Sequence, residues 1–411
     1  MDIVHDYAAG IDISKRDAKV CVRAPGKRPG QYESTTTTWH ATTNSILELR
    51  EYLQRHHVTT VVMEATSDYW KPFYYLLEET LPMMLVNARM ARNIPGKKTD
   101  VSDAAWLAQL AAHGLLRPSF VPPEPIRELR DLTRARAIVV RDRTRSIHRL
   151  EKFLESSGIK LSSVVSDLMG KSSRAMLDAL VAGERDPEVL ADLALGRLKE
   201  KRPMLVEALL GRFNEHHAFM TQSHLDQIDA YTTRIQVMTD RIDAAMAPFR
   251  HLRDALETIP GVSTLVADVI IAETGGDMSI FPTAEHLASW AGLCPGSNES
   301  AGRIKSSKIL HGNSYLKAAL GIAANAAGNS KHTYLAAQYR KLMSRRGRSK
   351  ARVAVAHTIL TAAWNMLSTG ECYTDPGENF YATLNPNAAK NRALSQLKRL
   401  GYTVTLTQAA A

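Results

Sequence analysis

The chain has 411 residues, too many for one ordinary hydrophobic core, so two or three domains are expected. Hydrophobic residues make up 45% and charged residues 23%, which excludes a disordered chain, and the lack of any run of about 18 apolar residues argues against a membrane-spanning helix. Lys and Arg number 52 against 42 Asp and Glu, a net charge of +10, and the default partner of such an excess is a polyanion, nucleic acid first.

In chain order, residues 1–125 read as an α/β domain. Tyr7–Ile13 and Ala18–Val22 are two strands joined by a polar turn from Ser14 to Asp17. A short helix over 44–56 precedes the β-branched run Thr59–Glu64, a buried strand. A helix from about Tyr69 to Glu79, a strand over Met83–Asn87 and a helix from Thr99 to His113 complete the alternation. Residues 126–250 carry almost no strand signal. Ile228, Ile235 and Ile242 recur every seven residues, with Tyr231, Met238 and Ala245 between them, a coiled-coil-like seam on a helical arm and a candidate dimerisation element. Gly158, Gly170, Gly183 and Pro187 divide the stretch before it into shorter helices. Residues 251–372 form a third, mainly helical unit. Within it Ile259–Ser263 resembles a helix–hairpin–helix turn that could approach a DNA phosphate, though for a lone match an ordinary helix–helix turn is the favoured reading. A polar loop spans Pro295–Asn313, and residues 373–411 are a loosely attached tail.

Cys21, Cys294 and Cys372 lie far apart in no paired spacing, against a disulfide framework or a zinc site and in keeping with a reducing cytoplasm. Residues 1–10 carry acids and no apolar core, so no secretory signal is expected.

Asp12 sits between Ile11 and Ile13 inside a strand, where a carboxylate is costly unless paired or bound to metal. Glu64 closes another apolar strand, and Asp100 and Asp103 share one face at a helix start. Converging at one sheet edge, four such hard oxygen donors suit Mg²⁺ or Mn²⁺ and two-ion phosphodiester chemistry. Taken singly each has a bland reading: Asp100 and Asp103 complement a helix N-terminus, and Glu64 starts a turn.

Gly10–Lys15, Met63–Thr66 and Lys98–Ala104 together resemble the DEDD motifs of the bacterial insertion-sequence transposases of family one-hundred-and-ten, which include the Piv-type DNA invertases. The resemblance runs to about Gly370 and implies a RuvC-like (ribonuclease-H-like) N-terminal domain with Asp12, Glu64, Asp100 and Asp103 as catalytic metal ligands. Family members more often have Gly after the Glu-Ala-Thr triplet; Ser67 stands there in this chain, which bears on the turn and not on the chemistry.

Gly292-Leu293-Cys294-Pro295 leads into a Ser- and Gly-rich stretch and then Gly312-Asn313 before a helix. A bare serine is a poor nucleophile, and no local histidine-based triad is evident. The resemblance places Ser300 at the family's nucleophilic serine, which becomes covalently linked to a DNA end, with Ser297, Ser306 and Ser307 as nearby competitors. It also implies carboxylates acting from another subunit, a homodimer assembling to a homotetramer across target and donor DNA, and a structured noncoding bridge RNA as guide. No Walker A pattern occurs, which a phosphoserine route would not need.

Basic residues cluster twice. Arg134, Arg141, Arg145 and Arg149 form a stripe on one helix face, and Arg345, Arg346, Arg348 and Lys350 belong to a block from Arg340 to Arg352 without an acid. Arg303, Lys305 and Lys308 flank the candidate serine. The first stripe reads as well as a solvated helix face. Three rival functions are a RuvC-like Holliday-junction nuclease using water, an actin-like ATPase, for which the later Gly-rich phosphate loops are lacking, and a non-enzymatic nucleic-acid-binding protein with structural acids.

Overall fold

Ala8–Ile13 (β1) is apolar except at Asp12, and it becomes the centre of a five-stranded sheet ordered β3-β2-β1-β4-β5. Asp17–Pro25 (β2) and Tyr32–His40 (β3) run antiparallel to their neighbours, while Thr60–Glu64 (β4) and Met83–Val86 (β5) run parallel to β1. The turn from β1 to β2 closes with the Ser14 amide donating to the Asp17 carbonyl at 2.8 Å. This mixed order is consistent with a ribonuclease-H-like domain. The computed structural model describes residues 3–28, 30–87, 103–296, 298–300, 302–306 and 308–406, and the chain divides into two compact units, 1–121 and 122–411.

Alternation along the strands sorts the first unit into layers. Ala9, Ile11, Ile13, Val61 and Met63 face Thr43–Arg55 (α1) and Trp70–Leu77 (α2), which bury Ile46, Leu49, Leu53, Phe73 and Leu77. Ala8, Val62 and Val86 face Asp103–Ala112 (α3) on the other side. Gly10 sets how closely α3 approaches. A Cβ built there would stand 2.1 Å from the Ala104 carbonyl oxygen and 2.4 Å from the Ala108 nitrogen, so helix backbone rests directly on strand backbone. Strand β3 has no counterpart in the sequence-based expectation, which passes from β2 straight to a helix. It is an edge strand, exposed along Thr35, Thr36 and Thr38, so it lacks apolar alternation and shows itself only in its β-branched threonines. Ser67 adopts φ +49°, a left-handed conformation that favours glycine and accounts for the glycine more usual there.

The second unit opens on Glu124–Ser156 (α4), 33 residues long with proline in its first turn. Lys171–Val181 (α5), Pro187–Ala191 (α6) and Arg202–Leu209 (α7) follow, and Glu215–Ala245 (α8) returns antiparallel along α4. Leu150, Leu154, Met176, Leu177, Leu205 and Leu225 form a core where these helices meet. The seam of Ile228, Ile235 and Ile242 lies on α8, in one stripe with Thr232 and Thr239. That stripe meets α4 of the same chain: Arg143 and Arg136 donate to Thr232 and Thr239 at 2.7 and 2.8 Å, and Ser146 to Gln227 at 3.1 Å. Arg250–Glu257 (α9), Thr264–Thr274 (α10), Ala284–Ala291 (α11), Ser314–Asn329 (α12), Tyr334–Arg346 (α13) and Arg348–Thr369 (α14) make up the rest. Residues 373–381 dock on the start of α13, where Tyr381 stacks on Tyr334 with ring centroids 5.8 Å apart, whereas Pro386–Arg399 (α15, after a single helical turn) buries nothing. Among the described residues no helix is long and apolar enough to cross a membrane, and all three cysteines are free.

The turn Ile259–Ser263 joins α9 to α10 with Gly261 at φ +91°. A Cβ on Gly261 would lie 2.4 Å from the Ala323 carbonyl oxygen and 2.6 Å from the Ala327 nitrogen of α12. This glycine therefore brings the backbone close to a helix of the same unit, the ordinary reading of the turn. Gly261→Ala is expected to cost about 2–4 kcal/mol from backbone strain plus the displaced helix contact. A denaturant titration reading the second unit checks this; an unchanged midpoint would mean that α12 can give way.

Candidate active site

The carboxylates of the first unit are positioned by strand register. Ile11 of β1 pairs with Met63 of β4 in a parallel ladder, so Asp12 and Glu64 stand level, one residue further, at the C-terminal ends of adjacent strands. By alternation both lie on the Gly10 face, the face that α3 covers, and both are half-buried. The direction of α3 follows from its contacts. Its last residue, Ala112, accepts from the Val4 and His5 amides just before β1, and Gly10 sits against Ala104 and Ala108. Hence α3 runs antiparallel to β1, and its first residue, the exposed Asp103, lies toward the end of the sheet that carries Asp12 and Glu64.

Asp100 lies outside the described residues. Among those described, no three carboxylate, imidazole or thiol side chains close into one metal-binding group, so Asp12, Glu64 and Asp103 share an end and a face of the sheet without forming a finished cage. The donor set nevertheless fits a divalent cation such as Mg²⁺ or Mn²⁺: hard oxygen ligands, half-buried, on adjacent strand ends. Lys19, the cross-strand partner of Asp12 on β2, was not picked out from sequence; only the register reveals it.

The serine stretch, expected as a polar loop, is a β-ribbon. Gly292 ends α11 at φ +74°, and its Cβ position is 2.8 Å from the Gly312 nitrogen; a Cβ on Gly312 would be 2.4 Å from the Ala291 carbonyl. Two glycines thus pinch the neck. Beyond it Pro295 bridges Ile309, Gly296 donates to the Lys308 carbonyl at 2.9 Å, and Asn298–Ser300 (β6) pairs with Arg303–Ser306 (β7). Ser300 is the last residue of β6, opposite Arg303 at the tip, where Gly302 supplies a left-handed turn position. Arg303, Lys305 and Lys308 are exposed on the returning side. The Ser306 hydroxyl accepts from the Lys308 amide at 3.1 Å, while Ser297 and Ser307 lie outside the described residues.

Below the neck is a cluster that sequence reasoning missed. Glu273, near the end of α10, is fully buried. It accepts two hydrogen bonds from Arg134, at 2.8 and 2.7 Å, and one from the Asn313 side-chain amide at 2.6 Å. Asn313 also caps α12, its oxygen accepting from the Tyr315 and Leu316 amides. Arg130 donates to the carbonyls of Ala272 and Glu273, satisfying the end of α10. Burial works against the Arg134 charge, and the Glu273 carboxylate more than restores it, so the guanidinium titrates above its ordinary value. Arg134 is therefore held inward by a carboxylate. The rest of its stripe, Arg141, Arg145 and Arg149, is exposed, with Arg145 3.2 Å from Asp142. Arg345, Arg346, Arg348 and Lys350 are exposed around the Gly347 turn between α13 and α14.

Residues 9–158 match the family model of the DEDD transposases of IS110 type, described as transposase, and residues 253–340 match that of the transposase IS116/IS110/IS902 family. The chain is similar to the insertion element IS900 uncharacterized 42 kDa protein of Mycobacterium paratuberculosis, 28% identical over 303 residues, which are 67% of this chain and 73% of that one. It is also similar to the insertion element IS110 uncharacterized 43.6 kDa protein of Streptomyces coelicolor, 25% identical over 315 residues, covering 70% and 75% of the two chains. The DEDD family implies dependence on a divalent metal. With two matches in chain order and insertion-element relatives aligned across two thirds of its length, the chain belongs to the IS116/IS110/IS902 family and is a DNA transposase.

Proposed function

We propose that this transposase cuts and rejoins DNA through a phosphoserine linkage at Ser300. The serine oxygen attacks a backbone phosphorus. An Oγ–P bond forms, the P–O bond to one strand breaks, and that strand leaves as a hydroxyl carrying the serine proton. Reversal by another strand's hydroxyl rejoins the DNA. One phosphodiester replaces another, so no ATP is required. The observation that carries this reading is the place of Ser300 at the tip of a narrow-necked ribbon, opposite Arg303, with Lys305 and Lys308 on the return. Such cations favour an incoming phosphate.

Asp12, Glu64 and Asp103, with Asp100, are the residues that would hold Mg²⁺ or Mn²⁺. The metal would offset charge at the reacting phosphate. Lys19 beside Asp12 adds a positive group at the same sheet end. Arg141, Arg145, Arg149, Arg345, Arg346, Arg348 and Lys350 contact nucleic-acid phosphates in this reading. The family resemblance further supports a homodimer that assembles to a homotetramer on target and donor DNA, directed by a bridge RNA.

The test is adduct mapping. Protein co-expressed with its native flanking DNA is mixed with labelled junction DNA and Mg²⁺, denatured, and digested with nuclease and protease. The expected product is a peptide carrying a nucleotide on Ser300. Cleaved DNA without any adduct would replace the serine by water as nucleophile, and an adduct on Ser297, Ser306 or Ser307 would move the nucleophile along the ribbon.

A further inference from the structure

We propose that a cavity between α12, α13 and α14 is a seat for a nucleic-acid backbone phosphate. The proposal takes from the transposase reading only that nucleic acid is the ligand, and it is independent of the chemistry at Ser300.

The cavity exists because of how the three helices meet. Gly328 has no side chain, and a Cβ there would stand 2.8 Å from the Tyr339 ring, so the ring packs directly against α12, and both residues line the space. That space measures about 390 Å³. Arg340 reaches it from α13, Arg348 and Arg352 from successive turns of α14, and Asn325 and Asn329 from successive turns of α12. No carboxylate is among the lining residues. Among the described residues none of the three arginines makes an ion pair.

This arrangement differs from that of Arg134 and Arg253 in the same unit. Arg134 is satisfied by Glu273, and Arg253 by Asp268 at 2.7 Å. Arg340, Arg348 and Arg352 instead set three like charges around one concavity, each exposed and open to an incoming anion. Guanidinium forks match phosphate oxygens in geometry as well as charge, and two side-chain amides add neutral donors. Gly347 starts α14 without a side-chain cap, so the positive end of that helix adds to the field. Arg345 and Arg346, next to the turn, do not line the cavity.

The experiment uses the full chain carrying Ser300→Ala, so that binding is read without chemistry. Fluorescence anisotropy follows a duplex DNA and an RNA hairpin across a salt series. The triple variant R340Q/R348Q/R352Q is compared with R345Q/R346Q, and single variants R340Q and R348Q, on different helices, guard against a folding defect in the triple. The expected result is at least about a 10-fold loss of affinity in the triple, a shallower salt dependence by about one phosphate, and a clearly smaller loss in R345Q/R346Q. Loss on the DNA arm alone, on the RNA arm alone or on both supports the seat and identifies the strand that fills it. Equal loss in the triple and in R345Q/R346Q would reveal a diffuse basic surface and overturn the proposal, as would unchanged binding in the triple or in both singles. Failure of the serine chemistry would show in the adduct assay and leave this binding intact.

Discussion

Asp12→Asn is expected to lower adduct formation by at least about 10³-fold, about 4 kcal/mol of transition-state stabilisation, while the first unit stays folded. The two effects separate because Asp12 has a chemical position but a modest packing role. Its neighbours Ile11 and Ile13 supply the buried area of the strand. The asparagine is nearly isosteric, and it removes one of two carboxylates standing level on adjacent strands. Its melting temperature in EDTA should therefore match the wild type within about 3 °C, a range that corresponds to about 0.8 kcal/mol for a domain of this size. The rise in melting temperature that Mg²⁺ gives the wild type should be absent, because a ligand stabilises only the state that binds it. Ser300→Ala should lose the adduct and keep the Mg²⁺ response. If Asp12→Asn formed the adduct at the wild-type rate, the carboxylates would be structural and the metal reading would fall.

How far the sequence carries this result depends on whether the deciding contact is local. Asp12 was legible because an acid between two isoleucines within a strand is anomalous by itself. Gly10 was not, since its role appears only when the backbone of α3, nearly a hundred residues later, lands on it. The strand order likewise follows from pairing, and β3 hid because an edge strand of threonines lacks the apolar period that reveals a buried one. Ser300 was placed by family resemblance. The ribbon around it has no signature in the sequence beyond that of a polar loop, because its stem depends on two glycines meeting across 20 residues, Gly292 and Gly312. In the arm, the heptad stripe was visible, but its partner α4 could not be read from the stripe, which has the same period whether it meets its own chain or another. Arg134 illustrates the converse: helical spacing placed it in a cationic stripe, and Glu273, 139 positions away, takes it inward.

That last pairing yields the largest stability change expected in the second unit. Glu273 is fully buried, and its carboxylate joins α4 through Arg134 to the start of α12 through Asn313. Glu273→Ala removes the anion but leaves the cation and the amide facing a gap, and breaking such a buried pair costs about 3–5 kcal/mol. Glu273→Gln keeps the volume and an acceptor for Asn313 but loses the charge, so an intermediate cost is expected. Arg134→Met should be nearly as damaging as Glu273→Ala, and the double variant much less than the sum of the two, with a coupling of about 1–3 kcal/mol in chemical denaturation. Were Arg134 chiefly a phosphate contact, its loss would flatten the salt dependence of DNA binding and leave stability alone, with no coupling to Glu273. Asn313 follows Gly312 directly, so the same carboxylate fixes one side of the neck from which the Ser300 ribbon projects. Glu273→Gln, assayed below its melting point, should then lose adduct formation more than DNA binding, because the neck sets the position of the serine while the exposed arginines and lysines hold the DNA.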